Sequence, residues 1–539
     1  MVLDNLYKKC KELKPVVDNP AGLIHNYMAR KPFNIVAAII ETLTSEDSVV
    51  CDPMFGSGTT IIEAAKLGRK VIGTDINPMA YKLCHTSLYR WDLKRVFCLI
   101  DSFVTECKNV ALNDYLLSYD HHVRVIERCH FDIIDNRLEP TCYWYNELNG
   151  AKLSGRKKTA VDDMFLKNYA SYSNKEVAIQ DKPLMENSRI AINKGATLHT
   201  YFCDRNWFVL SIILEKLNNY RNQYGFDVLE LLVSSSLNLI KLSDKKASSQ
   251  IPYWLPSKNV TSRNAIFILE KKAMAFKKGL AYLQDNIKSV LEENIRSGEL
   301  VNSVFIQNVP AQNISKEALS DNSVDLILTD PPYTDQVPYM EYSQLVIKLL
   351  GWDQNLNEIM SRELVVSDAI DRHKNENDFY NVWCEIVSRY SKALKKDGYF
   401  VMFYHSFNLR SWNRIIETMM HEGLVYKMQI PISSPRKSFK TVMTPKGTLD
   451  GNYIIIFQKA ESAMPITNWD IDSAYSAAIE CAEKIIRNGV NVTSQDLYDT
   501  GMLKDSIEKG YLGTLSAKYP TFVDVVKNKF VFYNGYWRI

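Results

Sequence analysis

Two stretches of the chain carry short apolar runs that alternate with helix-like segments. In the first stretch, apolar runs at residues 49–51 and 71–74 flank the helix-like sequence IIEAAKLG, which ends at Gly68. A strand, a glycine-rich turn, a helix and a second strand in so short a span predict a βαβ unit. Because strands in such a unit run side by side in the same direction, the pattern predicts a parallel sheet.

The same pattern resumes near residue 301. It predicts a helix that ends at residues 394–398. It also predicts five more strands, at residues 304–306, 324–328, 399–403, 424–428 and 453–457. The last two look like a pair that closes the sheet. The fold class is therefore α/β, with one sheet built from two separate parts of the chain.

The chain between these stretches has a different pattern of apolar and polar residues. It holds helical segments such as NWFVLSIILEKLNNYR and polar, Tyr-rich loops, which predict a mostly helical insertion. The last residues read as helices followed by the strand-like KFVFYNGYWRI. The predicted organisation is residues 1–100 and 301–460 as one split domain, 101–300 as an inserted domain, and 461–539 as a small helical or winged-helix-like module.

Charge is nearly balanced over the whole chain but not along it. The 539 residues carry a net charge of +3, which excludes a uniformly basic surface. Residues 241–281 hold nine Lys or Arg against two Asp or Glu, a local charge of about +7. Aromatic residues and prolines interleave with these cations. We therefore predict phosphate-backbone contacts of nucleic acid at Lys245, Lys246, Lys258 and Arg263.

Cysteine usage and hydropathy restrict the location of the protein. Ten cysteines contain no CxxC pair, which predicts reduced thiols, no zinc ribbon and no bound metal. The first residues have no apolar core of a signal peptide, and no apolar run reaches the roughly 18 residues of a membrane span. The expected location is the cytoplasm.

The sequence DPMFGSGTT at residues 52–60 sits between a predicted strand and a predicted helix. Gly56 and Gly58 allow a sharp turn and a close approach to a ligand. Beyond them, Thr59 and Thr60 can cap a helix whose free N–H groups face the turn. Asp75 ends the next strand, where a carboxylate can accept both hydroxyls of a ribose. These features predict a nucleoside cofactor.

The position of Asp52 narrows the choice of cofactor. A carboxylate at the strand end is a poor neighbour for a pyrophosphate and a good partner for an ammonium group. The spacing is neither GxGxxG nor GxxxxGK[ST]. A ligand with both a ribose and an ammonium group points to S-adenosylmethionine.

A second motif, Asp330-Pro331-Pro332-Tyr333, follows the apolar run 324–328. The Asp330 carboxylate and the carbonyl before Pro332 can both face one amino group, and Tyr333 offers a flat ring for a flipped base. Two acceptors would localise the lone pair of an exocyclic amine, so that positioning and electrostatics carry methyl transfer. The pattern predicts a site for amine methylation.

The order DPMFGSGTT, GTDINP and TDPPY resembles the amino-methyltransferases that use S-adenosylmethionine, and in particular the adenine-specific DNA methylases. The upstream sequence IHNYMARKPF resembles the family's N-terminal motif. The resemblance covers roughly residues 20–100 and 301–460. It implies a Rossmann-like methyltransferase sheet, double-stranded DNA as substrate and transfer to the N6 amine of adenine. It also implies that the insertion recognises the target.

The resemblance assigns roles residue by residue. Asp330, Pro331, Pro332 and Tyr333 would hold the target base. The cofactor would be held by Lys31, Pro32, Asp52, Pro53, Phe55, Gly56, Gly58, Thr59, Thr60, Asp75 and Ile76. The zinc-binding Cys cluster of many relatives is missing from this chain.

Several alternatives stay open. Cytosine-N4 methylation uses the same geometry, although those enzymes more often carry Ser in place of Asp330. An RNA or protein amino-methyltransferase is a second alternative. It is disfavoured by the 278 positions that separate Asp52 from Asp330. A non-catalytic DNA-binding subunit is a third. A role in restriction-modification or phage defence would bring in other subunits as partners.

Overall fold

The computed structural model describes residues 2–28, 30–135, 137–149, 152–153, 155–244, 253–295, 302–333, 338–367, 369, 372–433, 451–460 and 468–539. Within these ranges, no helix is both long enough and apolar enough to cross a membrane.

The described residues form sixteen strands. In chain order these are β1 (Val49–Asp52), β2 (Lys70–Thr74), β3 (Leu116–Tyr119), β4 (His122–Ile134), β5 (Arg137–Asn149), β6 (Lys152–Leu153), β7 (Lys157–Ala160), β8 (Asn259–Arg263), β9 (Val290–Leu291), β10 (Ser303–Gln307), β11 (Val324–Thr329), β12 (Leu394–Tyr404), β13 (Leu424–Ile432), β14 (Asn452–Lys459), β15 (Val531–Tyr533) and β16 (Tyr536–Arg538).

Eight of these strands form one largely parallel sheet in the order β13-β14-β12-β11-β1-β2-β10-β9. Strand β14 runs antiparallel to both of its neighbours, and every other neighbouring pair is parallel. All seven strands predicted from apolar runs lie within strands of this sheet. The predicted α/β class with a parallel sheet is therefore confirmed, and the sheet is consistent with a methyltransferase fold.

The described residues also form eighteen α-helices. In chain order these are α1 (Val2–Glu12), α2 (Phe33–Leu43), α3 (Thr59–Lys66), α4 (Pro78–Leu88), α5 (Leu93–Ala111), α6 (Asp163–Ala170), α7 (Asp204–Asn218), α8 (Phe226–Ile240), α9 (Ala265–Asn286), α10 (Tyr339–Leu349), α11 (Leu356–Ser361), α12 (Glu376–Ala393), α13 (Leu409–His421), α14 (Ile471–Asn488), α15 (Ser494–Asp499), α16 (Met502–Glu508), α17 (Leu512–Lys518) and α18 (Phe522–Val526).

One predicted boundary is wrong. The helix expected to end at residues 394–398 ends at Ala393, because Leu394 already pairs with Val324 of β11. The register then shifts before Tyr399 pairs with Leu326. Residues 395–398 form this irregularity, and Asp397 has a φ of 62° within it. The polar sequence therefore belongs to a bulge at the start of β12 rather than to a helix end.

The prediction of a mostly helical insertion missed a second sheet. Strands β3 to β8 form a six-stranded antiparallel sheet, in which β4 and β5 are each 13 residues long. The alternation of apolar and polar residues in VRVIERCHFDII is typical of a half-buried strand. Along the chain, helices α6 to α8 lie between β7 and β8, and α9 follows β8. The domain boundaries at residues 100, 300 and 460 stay predictions.

The carboxyl-terminal residues 468–539 fold as the helices α14 to α18 followed by the hairpin β15–β16. Asn534 and Gly535 form the hairpin turn with φ angles of 49° and 87°, which suits a two-residue turn. These helices share one hydrophobic core with β12, β13, β14 and α13. The winged-helix assignment stays a prediction.

Candidate active site

Three carboxylates meet at one edge of the parallel sheet. Asp52 is the last residue of β1, Asp75 follows β2, and Asp330 follows β11. Since β1 lies between β2 and β11 and all three run parallel, their carboxyl ends lie side by side. This edge of an α/β sheet is where ligands bind. A cleft of about 890 Å³, including its open mouth, contacts all three residues.

The glycine-rich turn shapes the floor of this cleft. Gly56 and Gly58 have φ angles of 49° and 76°, a region that L side chains rarely adopt. Gly58 directly precedes α3, and a Cβ there would lie 3.0 Å from the Cys84 sulfur. The tight turn therefore requires glycine at Gly58 for space as well as for conformation.

Asp75 is fixed by the turn that it faces. One carboxylate oxygen accepts the Gly56 N–H at 2.7 Å, and the other accepts the Asn77 N–H at 2.8 Å. Burial raises the pKa of Asp75 to about 6, against the lowering effect of these two hydrogen bonds. Each oxygen keeps a further lone pair, so the carboxylate can still accept hydroxyl groups from a ligand.

Asp52 is a buried carboxylate that lines the cleft. It is only 3% exposed, and its Oδ1 accepts the Met54 N–H at 3.1 Å. Burial raises the pKa of Asp52 to about 7, although hydrogen bonds from Met54 and neighbouring hydroxyls work in the opposite direction. A cation beside Asp52 would favour its ionised form. The cleft is therefore suited to a positively charged group at this point.

Asp330 already holds a cation. Its Oδ2 lies 2.9 Å from the Lys31 Nζ, and its Oδ1 accepts the Tyr333 hydroxyl at 2.9 Å. The same Nζ lies 5.7 Å from the ring centroid of Tyr333 and 5.4 Å from that of Phe403. An ammonium donor between a carboxylate and two aromatic rings marks a place where another amino group could bind.

Most of the predicted site residues come together in this cleft. Those that line it are Lys31, Asp52, Pro53, Phe55, Gly56, Thr59, Thr60, Asp75, Ile76, Asp330 and Pro332. Pro32, Gly58, Pro331 and Tyr333 do not line it. Tyr333 is 3% exposed and packs edge-on against Tyr404 at 5.3 Å between ring centroids. A base could stack on the Tyr333 face only after a local rearrangement.

Sequence comparison relates the N-terminal part of the chain, which contributes to the cleft, to a known protein family. Residues 3–85 match the model of the N6/N4 methyltransferase family, described as DNA methylase. This range contains the glycine-rich turn and Asp75 but ends before Asp330.

Two curated proteins show distant similarity. The type II methyltransferase M.HindIII of Haemophilus influenzae is 39% identical over 57 residues, which are 11% of this chain and 18% of that protein. The type II methyltransferase M.MjaII of Methanocaldococcus jannaschii is 23% identical over 105 residues, which are 20% of this chain and 19% of that protein. The chain thus spans less than a fifth of the length of either relative.

Of the predicted nucleic-acid residues, Lys258 and Arg263 do not line the cleft. Lys258 directly precedes β8, and Arg263 ends it, so both belong to the antiparallel sheet. Lys245 and Lys246 lie outside the described residues. Within the described ranges, no group of three His, Cys, Asp or Glu side chains is arranged to hold a metal ion.

Two aromatic residues outside the assigned cofactor and base sites also line the cleft. The rings of Tyr27 and Tyr339 lie nearly parallel, with 6.4 Å between their centroids and 10° between their planes. Tyr27 belongs to the predicted N-terminal motif IHNYMARKPF, which could have indicated it. Tyr339 begins α10, six residues after Tyr333, and its position shortly after the catalytic motif could have indicated it.

A buried ion triad supports the cleft wall at residues 362–364. The Arg372 guanidinium binds Glu341 at 2.8 Å and Glu363 at 2.7 Å, and all three side chains are at most 4% exposed. Burial raises the pKa of Glu363 to about 7, although Arg372 acts in the opposite direction. No sequence motif indicates this triad, because its members meet only through tertiary packing.

The segment that carries Tyr27 and Lys31 is anchored to α8. The His25 Nε2 lies 2.8 Å from the Ser234 hydroxyl of α8, and Arg30 donates to the His25 carbonyl at 2.6 Å. Burial lowers the pKa of His25 to about 3, which keeps the ring neutral. The contact with α8 therefore helps to fix the segment that carries Lys31.

Proposed function

We propose that the protein is an S-adenosylmethionine-dependent DNA methyltransferase that acts on an exocyclic amine, with the N6 amine of adenine as its target. The observation that carries the proposal is the placement of Asp52, Asp75 and Asp330 on three neighbouring parallel strand ends around one cleft. The match of residues 3–85 to the DNA methylase family supports the same conclusion.

The residues of the cleft suit S-adenosylmethionine. Asp52 is a buried carboxylate that a cationic ligand would keep ionised, and Asp75 can accept the hydroxyls of a ribose. Gly56 lines the cleft and has no side chain, so its backbone can approach a ligand closely. When bound, the cofactor supplies an electrophilic methyl group. The protein holds and orients it, and Phe55 and Ile76 exclude water from the cleft.

Asp330 and the carbonyl of Pro331 would hold the two hydrogens of the target amine. Accepting both hydrogens concentrates the nitrogen lone pair, which otherwise is delocalised into the base. In the described structure, the Lys31 ammonium binds the Asp330 carboxylate. We propose that the target amine takes this place and displaces Lys31. Asp330 can then accept the proton that the methylated amine releases.

The choice of adenine rather than cytosine as the target base is the more specific part of the proposal. The motif carries Asp330, whereas the cytosine-N4 enzymes in the resemblance more often carry Ser at this point. Both curated relatives are named type II methyltransferases. By analogy, we propose a role in restriction-modification, with duplex DNA as the substrate.

The decisive experiment measures transfer of label from S-adenosylmethionine. The protein is incubated with duplex DNA, with RNA or with neither, and the methylated nucleoside is identified. We expect N6-methyladenine in DNA alone. Labelled N4-methylcytosine would overturn the base assignment, and label only in RNA would overturn the proposed substrate.

The Asp330→Ala variant tests the assignment of the catalytic turn. Loss of an acceptor that acts on the developing charge is expected to lower the rate of transfer by at least about 10²–10³-fold. Cofactor affinity should change little, as measured by calorimetry. The exposed Asp321→Ala variant is the matched control. Near-normal turnover of Asp330→Ala would exclude the proposed role.

A further inference from the structure

A row of cations crosses the antiparallel sheet of the insertion. Direct cross-strand pairing joins Lys158 of β7 to Trp144 of β5, Trp144 to Arg128 of β4, and Arg128 to Arg263 of β8. Directly paired residues lie on the same face of a sheet. We call these four residues the cationic row. Three steps between strands of about 4.8 Å each make the row about 14 Å long.

The charges of the cationic row are poorly compensated by the protein itself. Among the described residues, no carboxylate forms an ion pair with Arg128 or Lys158. Arg263 donates to the Leu239 carbonyl at 3.2 Å. Burial and the neighbouring Arg128 guanidinium lower the pKa of Arg263, while Asp244 acts in the opposite direction. Like charges placed directly opposite each other destabilise a sheet.

The face of the sheet that carries the row lies opposite a buried face. The next row on the opposite face contains Tyr143 and Cys129, which are buried. Lys158 is exposed, and Trp144 and Arg128 are partly exposed. The Trp144 ring has the Lys158 Nζ at 5.0 Å and the Arg128 Cζ at 5.6 Å from its centroid. These contacts engage the ring with cations, so it is poorly placed to stack on a base.

We propose that the cationic row binds the phosphate backbone of duplex DNA. This inference rests on the proposed function, because it takes DNA as the substrate. Duplex DNA carries one negative charge per roughly 1.7 Å of its axis, so a row of about 14 Å faces several phosphates. An anion at the row relieves the repulsion between Arg128 and Arg263. Since the Trp144 ring is engaged by cations, the contact is to the backbone and independent of base sequence.

The row is also linked to the candidate active site. Tyr253, which lies shortly before β8, donates its hydroxyl to the Tyr342 carbonyl at 2.9 Å and accepts the Leu345 N–H at 3.1 Å. Both partners belong to α10, which follows the catalytic turn. A duplex bound by the row is thus held by the same structural unit that positions one wall of the cleft.

The test compares two substitutions on one strand. Lys158→Gln removes a charge from the row, whereas the control Lys157→Gln removes one from the next residue, which points to the other face and binds Glu147 at 2.8 Å. Arg128→Gln combined with Lys158→Gln is the stronger variant. Binding of the full-length protein to a fluorescent duplex is measured by anisotropy at several salt concentrations, and cofactor affinity is measured by calorimetry.

We expect Lys158→Gln to reduce the slope of log K against log salt by about 0.9 and the double variant to reduce it by about 1.8. Lys157→Gln should leave the slope unchanged, and all variants should keep their cofactor affinity. A wild-type slope in Lys158→Gln, whose exposed side chain is not needed for folding, would overturn the proposal. A reduced slope with single-stranded but not duplex DNA would also overturn it.

The outcomes separate this inference from the proposed function. If the wild-type protein methylates duplex DNA and the double variant keeps the wild-type slope, only the role of the cationic row is wrong. If the wild-type protein neither binds nor methylates duplex DNA, both proposals are wrong.

Discussion

Asp52 is a carboxylate whose ionisation depends on what lies beside it. Burial raises its pKa to about 7, and the pKa of the neighbouring Asp75 is raised to about 6 for the same reason. In the folded protein without a ligand, both groups therefore take up protons well above pH 4. A cationic ligand reverses this effect, because it is bound best when Asp52 is ionised.

We accordingly predict that affinity for S-adenosylmethionine rises between pH 5.5 and pH 8. Protonation below about pH 7 removes the negative charge of Asp52, so affinity falls as pH falls, by at most tenfold per pH unit for one proton. Asp52→Asn should bind about 10- to 100-fold more weakly, as expected for a lost hydrogen bond to a charged group. Any pH dependence left in this variant should centre near pH 6, the value for Asp75.

Calorimetric titrations at several pH values check this prediction, with the exposed Asp47→Asn as the matched control. A wild-type affinity that is flat across this range would show that Asp52 does not face the positive charge of the cofactor.

A substitution at Gly58 tests whether the turn requires a left-handed backbone conformation at this position. Its φ is 76°, and a Cβ would lie 3.0 Å from the Cys84 sulfur. Gly58→Ala should therefore lower the free energy of unfolding by about 1–2 kcal/mol, the cost of a left-handed conformation for an L residue. Chemical denaturation measures the change. Gly155→Ala is the control, because no atom lies within 4 Å of the position of its Cβ. Equal stabilities for the two variants would contradict the assigned strain.

Among the secondary-structure elements, strands made of continuous apolar runs were predicted most accurately. Residues 454–457 of β14 are all buried, and their sequence Ile-Ile-Ile-Phe leaves little alternative to a strand inside a sheet. Strands β4 and β5 were missed because their polar faces resembled loops in composition. The alternation of VRVIERCHFDII contains the information, but a half-buried hairpin gives a weaker pattern than a buried strand.

The cleft wall is supported by the buried ion triad around Arg372, which the sequence does not predict. Arg372 lies between the carboxylates of Glu341 on α10 and Glu363 on the cleft wall. No local motif pairs these residues, since Arg372 lies nine positions after Glu363 and 31 positions after Glu341. The buried triad joins α10, which follows the Asp330 turn, to the segment that lines the cleft.

We predict that Arg372→Ala lowers the free energy of unfolding by about 3–5 kcal/mol, because it leaves two buried carboxylates without a cation. The loss should be larger at pH 8 than at pH 5. Arg372 lowers the pKa of Glu363, so without it burial raises that pKa further. The folded variant then binds more protons than the folded wild type and loses more stability as pH rises. Denaturation at both pH values checks this, with the exposed Arg410→Ala as control. A loss independent of pH would contradict the electrostatic explanation.

For the whole molecule, the sequence predicts at which edge of the sheet the candidate site lies. Asp52 and Asp330 are 278 positions apart, yet both end strands of one parallel sheet, so their meeting follows from the fold class. The Lys31–Asp330 ion pair did not follow, because it depends on how the N-terminal segment packs against α8. The sequence pattern thus located the strand ends but not the loops and helices that complete the cleft.

The carboxyl-terminal helices complete the core of the parallel sheet rather than standing apart from it. The Tyr498 hydroxyl donates to the Phe407 carbonyl at 2.7 Å, and the Leu409 N–H donates to the Pro520 carbonyl at 2.8 Å. Gln429 of β13 donates its side-chain N–H to the Tyr498 carbonyl at 3.0 Å. The side chain of Trp412, fully buried in α13, belongs to the same core.

A chain ending at residue 460 should therefore fail to fold into a soluble, cofactor-binding protein. Truncation would expose apolar side chains of α13, β13 and β14, and large exposed apolar patches promote aggregation. Expression of residues 1–460 with and without residues 461–539 in trans measures this through the soluble yield and through calorimetric cofactor binding. Recovery only with the second fragment is expected, because the two parts share one core. A soluble 1–460 fragment with wild-type cofactor affinity would instead show that the module is an independent appendage.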